Sequence, residues 1–234
     1  GIDRRFVGAI HTNDWYGISD PKDYTVALGA HFESRGGTIR IAEANALEAT
    51  SGGASVLLSD GTRLSADRII VAAGAWSHRL ARTIGDHIPL ETERGYNTTL
   101  PIGAFDLRRQ LSFEEHGFVV SPLSSGIRVG GAVELGGLNL PPNYRRADAL
   151  LKKAKSFLPG LKTEGGTQWM GFRPSLPDSI PVIGPASRTD RITYAFGHGH
   201  LGLTQSAGTA RIVANLVMGR ENTVDLKPYR PQRF

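Results

Sequence analysis

The chain contains no cysteine among its 234 residues. That excludes disulfides, thiolate metal sites, a cysteine nucleophile and a cysteine-tethered prosthetic group. It agrees with a reducing compartment, and we expect a cytoplasmic protein, with attachment to a membrane surface left open. No apolar run approaches the ~20 residues a membrane-spanning helix needs, and no signal-peptide pattern opens the chain. Internal repeats and low-complexity stretches are absent. There is no Gly-x-Ser-x-Gly elbow, which argues against a Ser-His-Asp hydrolase. The seven histidines are scattered. His198 and His200 are two apart rather than the three or four that put ligands on one helical face, so we expect no metal site.

What is present is the composition of a soluble globular protein, 40% hydrophobic and 21% charged. The net charge of +5 suits anionic ligands. The charges are dispersed and no motif interleaves them with stacking aromatics, so nucleic-acid binding is not expected. The chain opens at Gly1 in mid-pattern, and we expect a piece of a longer protein.

Periodicity predicts a helix over Pro21–Gly37 with a Tyr24, Leu28, Phe32 stripe, then a short strand over Thr38–Ala42. Ser55–Leu58 and Thr62–Leu64 flank Ser59-Asp60-Gly61 as a hairpin. Arg68–Ala72 reads as a buried parallel strand, followed by a helix from Trp76 to about Ile84. Gly95–Leu100, Gly117–Val120 and Ile127–Val133 read as antiparallel strands. Residues 143–158 read as an amphipathic helix with Leu150, Leu151, Ala154 and Leu158 in its stripe. Ile180–Ile183, Ile192–Phe196 and a helix over 203–218 complete the pattern.

Three segments carry chemistry. Gly197-His198-Gly199-His200-Leu201-Gly202 lies between a strand and a helix. Its glycines either let a ligand approach the backbone, with free amides at the helix start, or merely permit close packing. Arg173 precedes Pro174, which biases it to extended geometry. It is either a carboxylate clamp, an ion pair with Asp178 or a solvated arginine. Val71 to Trp76 ends a strand at small residues, as either a cofactor turn or a tight turn with a core tryptophan. Arg94-Gly95-Tyr96 and Tyr144-Arg145-Arg146 read as a strand edge and a solvated helix start, with Tyr96 kept as a candidate substrate contact.

Taken in order, the stretches Ala66–Ser77, Glu93–Tyr96, Pro141–Asp148, Trp169–Pro174 through Asp178 to Gly184, and Gly197–Thr204 resemble the FAD-dependent D-amino acid oxidase superfamily, most closely its D-amino acid dehydrogenase branch. The resemblance covers about residues 20–220. It implies a mixed α/β and α+β fold in which a partial FAD-binding Rossmann-like domain is interleaved with an antiparallel β-rich substrate domain. We assign 1–21 and 89–173 to the substrate domain, and 22–88 and 174–234 to the FAD-binding domain and tail.

The resemblance also implies roles. Arg173 falls on the arginine that binds the substrate carboxylate. Gly197, His198, Gly199, His200, Leu201, Gly202, Leu203 and Thr204 fall on the segment along the flavin ring. Ala73, Gly74 and Trp76 fall near the ADP part of a non-covalent FAD, and Ala46 near adenine. No side chain is expected to act as a catalytic acid or base, because hydride passes directly from Cα to flavin N5. The family's N-terminal strand, Gly-x-Gly-x-x-Gly turn and ribose-binding acid are expected before Gly1. On that ground the isolated chain is expected to bind FAD weakly or not at all and to be inactive. Other readings stay open: a 2-hydroxy acid, sarcosine or proline as substrate, with oxygen, a quinone or a protein as electron acceptor, or a non-catalytic fragment that self-associates through an exposed sheet edge.

Overall fold

The computed structural model describes residue 6, residues 8–50 and residues 52–234. The start of the expected 1–21 segment, residues 1–5 and 7, lies outside the described residues. In chain order the first elements are α1 (Pro21–Ser34), β1 (Ala44–Ala49), β2 (Ala54–Leu58), β3 (Arg63–Ala66), β4 (Ile69–Val71), α2 (Ser77–Thr83) and β5 (Glu91–Leu100). Then follow β6 (Leu111–Phe113), β7 (Phe118–Leu123), β8 (Gly126–Leu135), α3 (Arg145–Phe157), β9 (Thr167–Ser175), β10 (Val182–Ala186), β11 (Thr189–Phe196) and α4 (Gly202–Val217). The expected mixed α/β fold is what forms. It divides into two compact units, with boundaries after Arg40, inside β5 between Glu93 and Arg94, at the end of β8 between Glu134 and Leu135, after Asn139, and inside β9 between Gly171 and Phe172.

The first unit holds α1, most of β5, β6 to β8, α3 and the start of β9. Its sheet runs β6-β7-β8-β5-β9. Alternation along β7 and β8 buries Phe118, Val120, Ile127 and Val129, which pack with Leu150, Ala154 and Phe157 of α3. The predicted stripe of α3 therefore faces this core. Phe113 stacks on Phe118 with ring centroids 4.6 Å apart.

Helix α1 starts where Asp20 accepts the Lys22 N–H at 2.8 Å, with Pro21 in its first turn. The Ser125 hydroxyl also donates to Asp20, at 2.7 Å. These bonds hold the Asp20 carboxyl below the usual carboxylate range. The helix stops at Ser34, three residues short of the predicted end, and its Tyr24, Leu28 and Phe32 stripe is exposed.

The second unit holds β1 to β4, α2, β10, β11 and α4. The Ser59-Asp60-Gly61 hairpin forms as expected, with Asp60 accepting the Thr62 N–H at 2.8 Å and Gly61 at φ 82°. It belongs to the sheet β1-β2-β3. The predicted strand at Thr38–Ala42 does not form. Among the described residues no strand pairs with it, Ile41 is exposed, and the ladder with β2 starts only at Ala44. A second sheet runs β10-β11-β4, in which β11 and β4 are parallel, as expected of Arg68–Ala72. The burial expected of β4 holds for Val71 but not for Ile70, which is exposed. Val71, Leu80, Leu176, Val182, Ile192 and Phe196 form the centre of this unit's core. Helix α4 packs on β10 and β11, which brings its N-terminus to the end of β11.

Candidate functional site

Strand β11 leaves the core at Phe196 and enters the glycine segment. Gly197 has φ 86° and Gly199 φ 53°, both left-handed. A Cβ on Gly197 would lie 2.4 Å from Leu176 Cδ1, so this position takes glycine for space as well as for conformation. The Gly199 N–H donates to the Pro174 carbonyl at 2.8 Å, tying the segment to the end of β9.

Helix α4 then begins at Gly202 without a side-chain cap and with no acidic residue in its first turn. Its positive end thus meets an electron-rich group through bare backbone amides. Two buried polar atoms near this end have no hydrogen-bond partner, Ser175 Oγ and Gln205 Oε1. The Ser175 hydroxyl is 3.6 Å from where a Cβ on Gly199 would stand. His198 is pushed toward its neutral form by burial and places Nε2 3.0 Å from Thr209 Oγ1.

The segment also spells Gly-x-Gly-x-x-Gly between a strand and a helix. Its spacing is that of the dinucleotide turn expected before Gly1. Among the described residues α4 is followed by short 3-10 turns at Lys227–Tyr229 and Pro231–Arg233.

Arg173 lies on β9, half-buried. Burial pulls its pKa below the usual arginine value, and the negative charge of Glu93 opposes that shift. Asp178, one of its predicted partners, is engaged elsewhere. Arg233 donates to both Asp178 carboxylate oxygens, at 2.7 and 3.3 Å. Glu93 itself carries His200, with Nε2 to Oε2 at 2.6 Å. Arg173, Glu93, His200 and the glycine segment thus form one neighbourhood. Leu201 and Leu203 are exposed beside it.

The predicted turn at Ala73–Trp76 reaches β9 by another route, the Trp76 ring meeting Phe172 edge-on at 5.4 Å. Gly74 has φ 53°, and Trp76 is exposed rather than a core residue. Ala73 also lines an apolar cavity of about 350 Å³ with Ala44, Leu47, Val56, Leu80 and residues 69–72. Ala46 pairs with Leu57 in the β1–β2 ladder and is not among the cavity's lining residues.

Tyr96 lies in the first unit and is 1% exposed. Its hydroxyl donates to Glu134 Oε2 and accepts the Asn143 N–H, the latter at 3.1 Å. Glu134 also pairs with the buried Arg94, at 3.4 Å, and with Arg146, at 3.1 Å. Burial raises the Tyr96 pKa, while the Tyr96 hydroxyl and the two arginines hold Glu134 low. The reading of Arg94–Tyr96 as a strand edge is corrected: β5 lies between β8 and β9, and both side chains are buried. Sequence reasoning missed Glu93, Glu134, Ser175 and Gln205 as participants. No local signal marks them, since their partners or neighbours come from distant segments.

Residues 1–216 match the family described as FAD dependent oxidoreductase (DAO). A D-amino-acid oxidase of Bradyrhizobium diazoefficiens is 36% identical over 219 residues, 92% of this chain and 52% of that protein. A D-amino acid dehydrogenase of Dechloromonas aromatica is 34% identical over 210 residues, 86% of this chain and 50% of that protein. The chain spans about half the length of the curated relatives it matches. Among solved structures, glycine oxidase from Geobacillus kaustophilus is similar with a TM-score of 0.81 at 23% identity, over 91% of this chain and 58% of that one. Iminodiacetate oxidase from Chelativorans sp. BNC1 gives 0.77 at 25% identity, over 90% and 58%.

Proposed function

Because the chain belongs to the FAD dependent oxidoreductase family, we propose that it carries the substrate clamp and the flavin-facing loop of an enzyme that oxidises D-amino acids. The observation that carries this reading is a half-buried arginine whose chain neighbour Pro174 is bonded, through its carbonyl, to Gly199 of the segment that leads into an uncapped helix start. The relatives named D-amino-acid oxidase and D-amino acid dehydrogenase support the choice of substrate class.

The residues present fit a flavin. Gly197 and Gly199 hold left-handed backbone, the first turn of α4 presents free amides, and Ser175 and Gln205 offer buried polar atoms that lack partners. When bound, FAD supplies the two-electron acceptor for hydride from the substrate Cα. Gly202, Leu203 and Thr204 would present their amides to a ring carbonyl, where the helix dipole favours negative charge. Arg173 would hold the substrate carboxylate through its planar fork and so orient the Cα–H. His198, kept neutral, would pack beside the ring without adding charge. Ala73, Gly74 and Trp76 would flank the ADP part of FAD, in the segments 22–88 and 174–234 assigned to cofactor binding. Tyr96, with its hydroxyl taken up by Glu134 and the Asn143 N–H, would serve to hold its own unit together rather than to contact substrate.

The test is anaerobic bleaching of the flavin's visible absorption by D-amino acids, compared with L-amino acids, D-2-hydroxy acids, sarcosine and proline. Bleaching by D-amino acids that Arg173→Ala slows at least about a hundredfold supports the reading, since a charge-assisted bidentate contact is lost. Equal rates in the variant would sink it. The same absorption, recorded with and without added FAD, tests whether the isolated chain retains the cofactor.

A further inference from the structure

The carboxylate of Glu93 is the unexpected charge in this neighbourhood. Glu93 and Arg173 lie on adjacent strands, β5 and β9, and the negative charge of Glu93 acts on the Arg173 guanidinium. Its Oε2 is held by His200 Nε2 at 2.6 Å, and its side chain is 27% exposed. Of the other acidic groups near this end of β9, Asp178 is bound by Arg233. A half-buried cation alone would take any small anion. With a carboxylate held on the neighbouring strand, an incoming anion meets repulsion as well as attraction. A ligand escapes that repulsion only if it carries its own positive charge next to its carboxylate, as an α-ammonium does and a hydroxyl does not.

We propose that Glu93 recognises the substrate nitrogen, its Oε1 accepting a hydrogen bond from the amine of a molecule whose carboxylate sits on Arg173. The site then selects an α-amino acid over a 2-hydroxy acid or a plain carboxylate. His200 acts as a positioning residue that holds Oε2 and turns Oε1 toward the ligand. This proposal rests on the reading of Arg173 as the carboxylate clamp. It adds the element that separates amino acids from the other carboxylate substrates that Arg173 alone would accept.

The test uses the flavin-loaded protein and three probes: D-alanine, D-lactate and propanoate. Propanoate binding is followed by the shift of the flavin absorption, and D-alanine and D-lactate by steady-state and anaerobic reduction kinetics. In Glu93→Gln, the KM for D-alanine should rise about tenfold or more, as for loss of one charge-assisted hydrogen bond. Propanoate should bind equally well or more tightly, and D-lactate, which has a neutral donor but no positive charge, should lose less than D-alanine. Glu93→Asp, which keeps the charge but shortens the reach, should fall between, and both variants should keep the wild-type affinity for FAD. Parallel weakening of D-alanine and propanoate, or no change in either, overturns the proposal. Propanoate binding that Arg173→Ala leaves unchanged overturns the clamp reading and Glu93's role with it, whereas a lost clamp with an unselective Glu93→Gln overturns only the latter.

Discussion

Leu176 fills the space that a Cβ on Gly197 would need, its Cδ1 lying 2.4 Å from that position. One side chain from the segment after β9 thereby shapes the turn that leads into α4. The Gly199 N–H bond to Pro174 reinforces the same link, and Arg233 secures the next turn through Asp178.

Gly197→Ala should therefore destabilise the protein by about 1–3 kcal/mol, combining left-handed strain with overpacking. At about 2–4 °C per kcal/mol for a chain of this size, thermal melts should show a drop of several degrees. Leu176→Ala should cost about 2–5 kcal/mol by leaving a cavity. The double variant should cost less than the sum, because the truncated leucine gives the new methyl group room. Strict additivity would show that the two residues do not compete for one space.

Arg233→Ala should cost about 1 kcal/mol near neutral pH, a modest figure because both partners retain solvent contact. Its hydrogen bonds hold the Asp178 carboxyl below the ordinary value of 3.8. The folded pKa is thus depressed, so this contribution is present above 3.8 and is lost as pH falls through the lower folded value. Urea titrations at a series of pH values should show the wild-type advantage shrinking only in that acidic range. An advantage independent of pH would assign the effect to packing.

Glu134 neutralises the buried Arg94 while holding Tyr96 and Arg146. Glu134→Ala should cost about 3–5 kcal/mol by removing a counter-charge of the buried arginine. Tyr96→Phe should cost about 1–2 kcal/mol, and Arg146→Ala, at the exposed end of the network, less than about 1 kcal/mol. Equilibrium denaturation would give the order, and an Arg146→Ala cost equal to that of Glu134→Ala would refute the assignment of the central role to Glu134.

His198 and His78 are both held below the ordinary histidine value of 6.5, chiefly by burial. Below pH 6.5 the unfolded chain binds protons at these sites before the folded one does, so stability falls as the pH is lowered through that range. His198→Asn should flatten part of this slope, and the change at His78 as well should flatten it further. Melting temperatures measured between mildly alkaline and mildly acidic pH would show it. An unchanged slope in the double variant would place the titrating groups elsewhere.

Elements whose pattern is satisfied locally were legible in the chain. The Ser59-Asp60-Gly61 hairpin follows from turn chemistry, and α3 from a stripe that finds its core. The predicted Thr38–Ala42 strand shows the limit of that reading: it has strand-forming residues, but among the described residues the ladder starts only at Ala44. The stripe of α1 is apolar and yet exposed, because periodicity names the face a helix offers and not what covers it.

The sequence by itself determined the family, the glycine segment between β11 and α4, and Arg173 as an arginine in extended backbone, since each depends on residues near one another in the chain. Only the tertiary structure decided which charges meet. Glu93 comes to His200 across 107 positions, and Asp178 is taken by Arg233 across 55. Charge pairing acts through space over a few ångströms, so strand adjacency and chain return set it, and neither is written in local sequence.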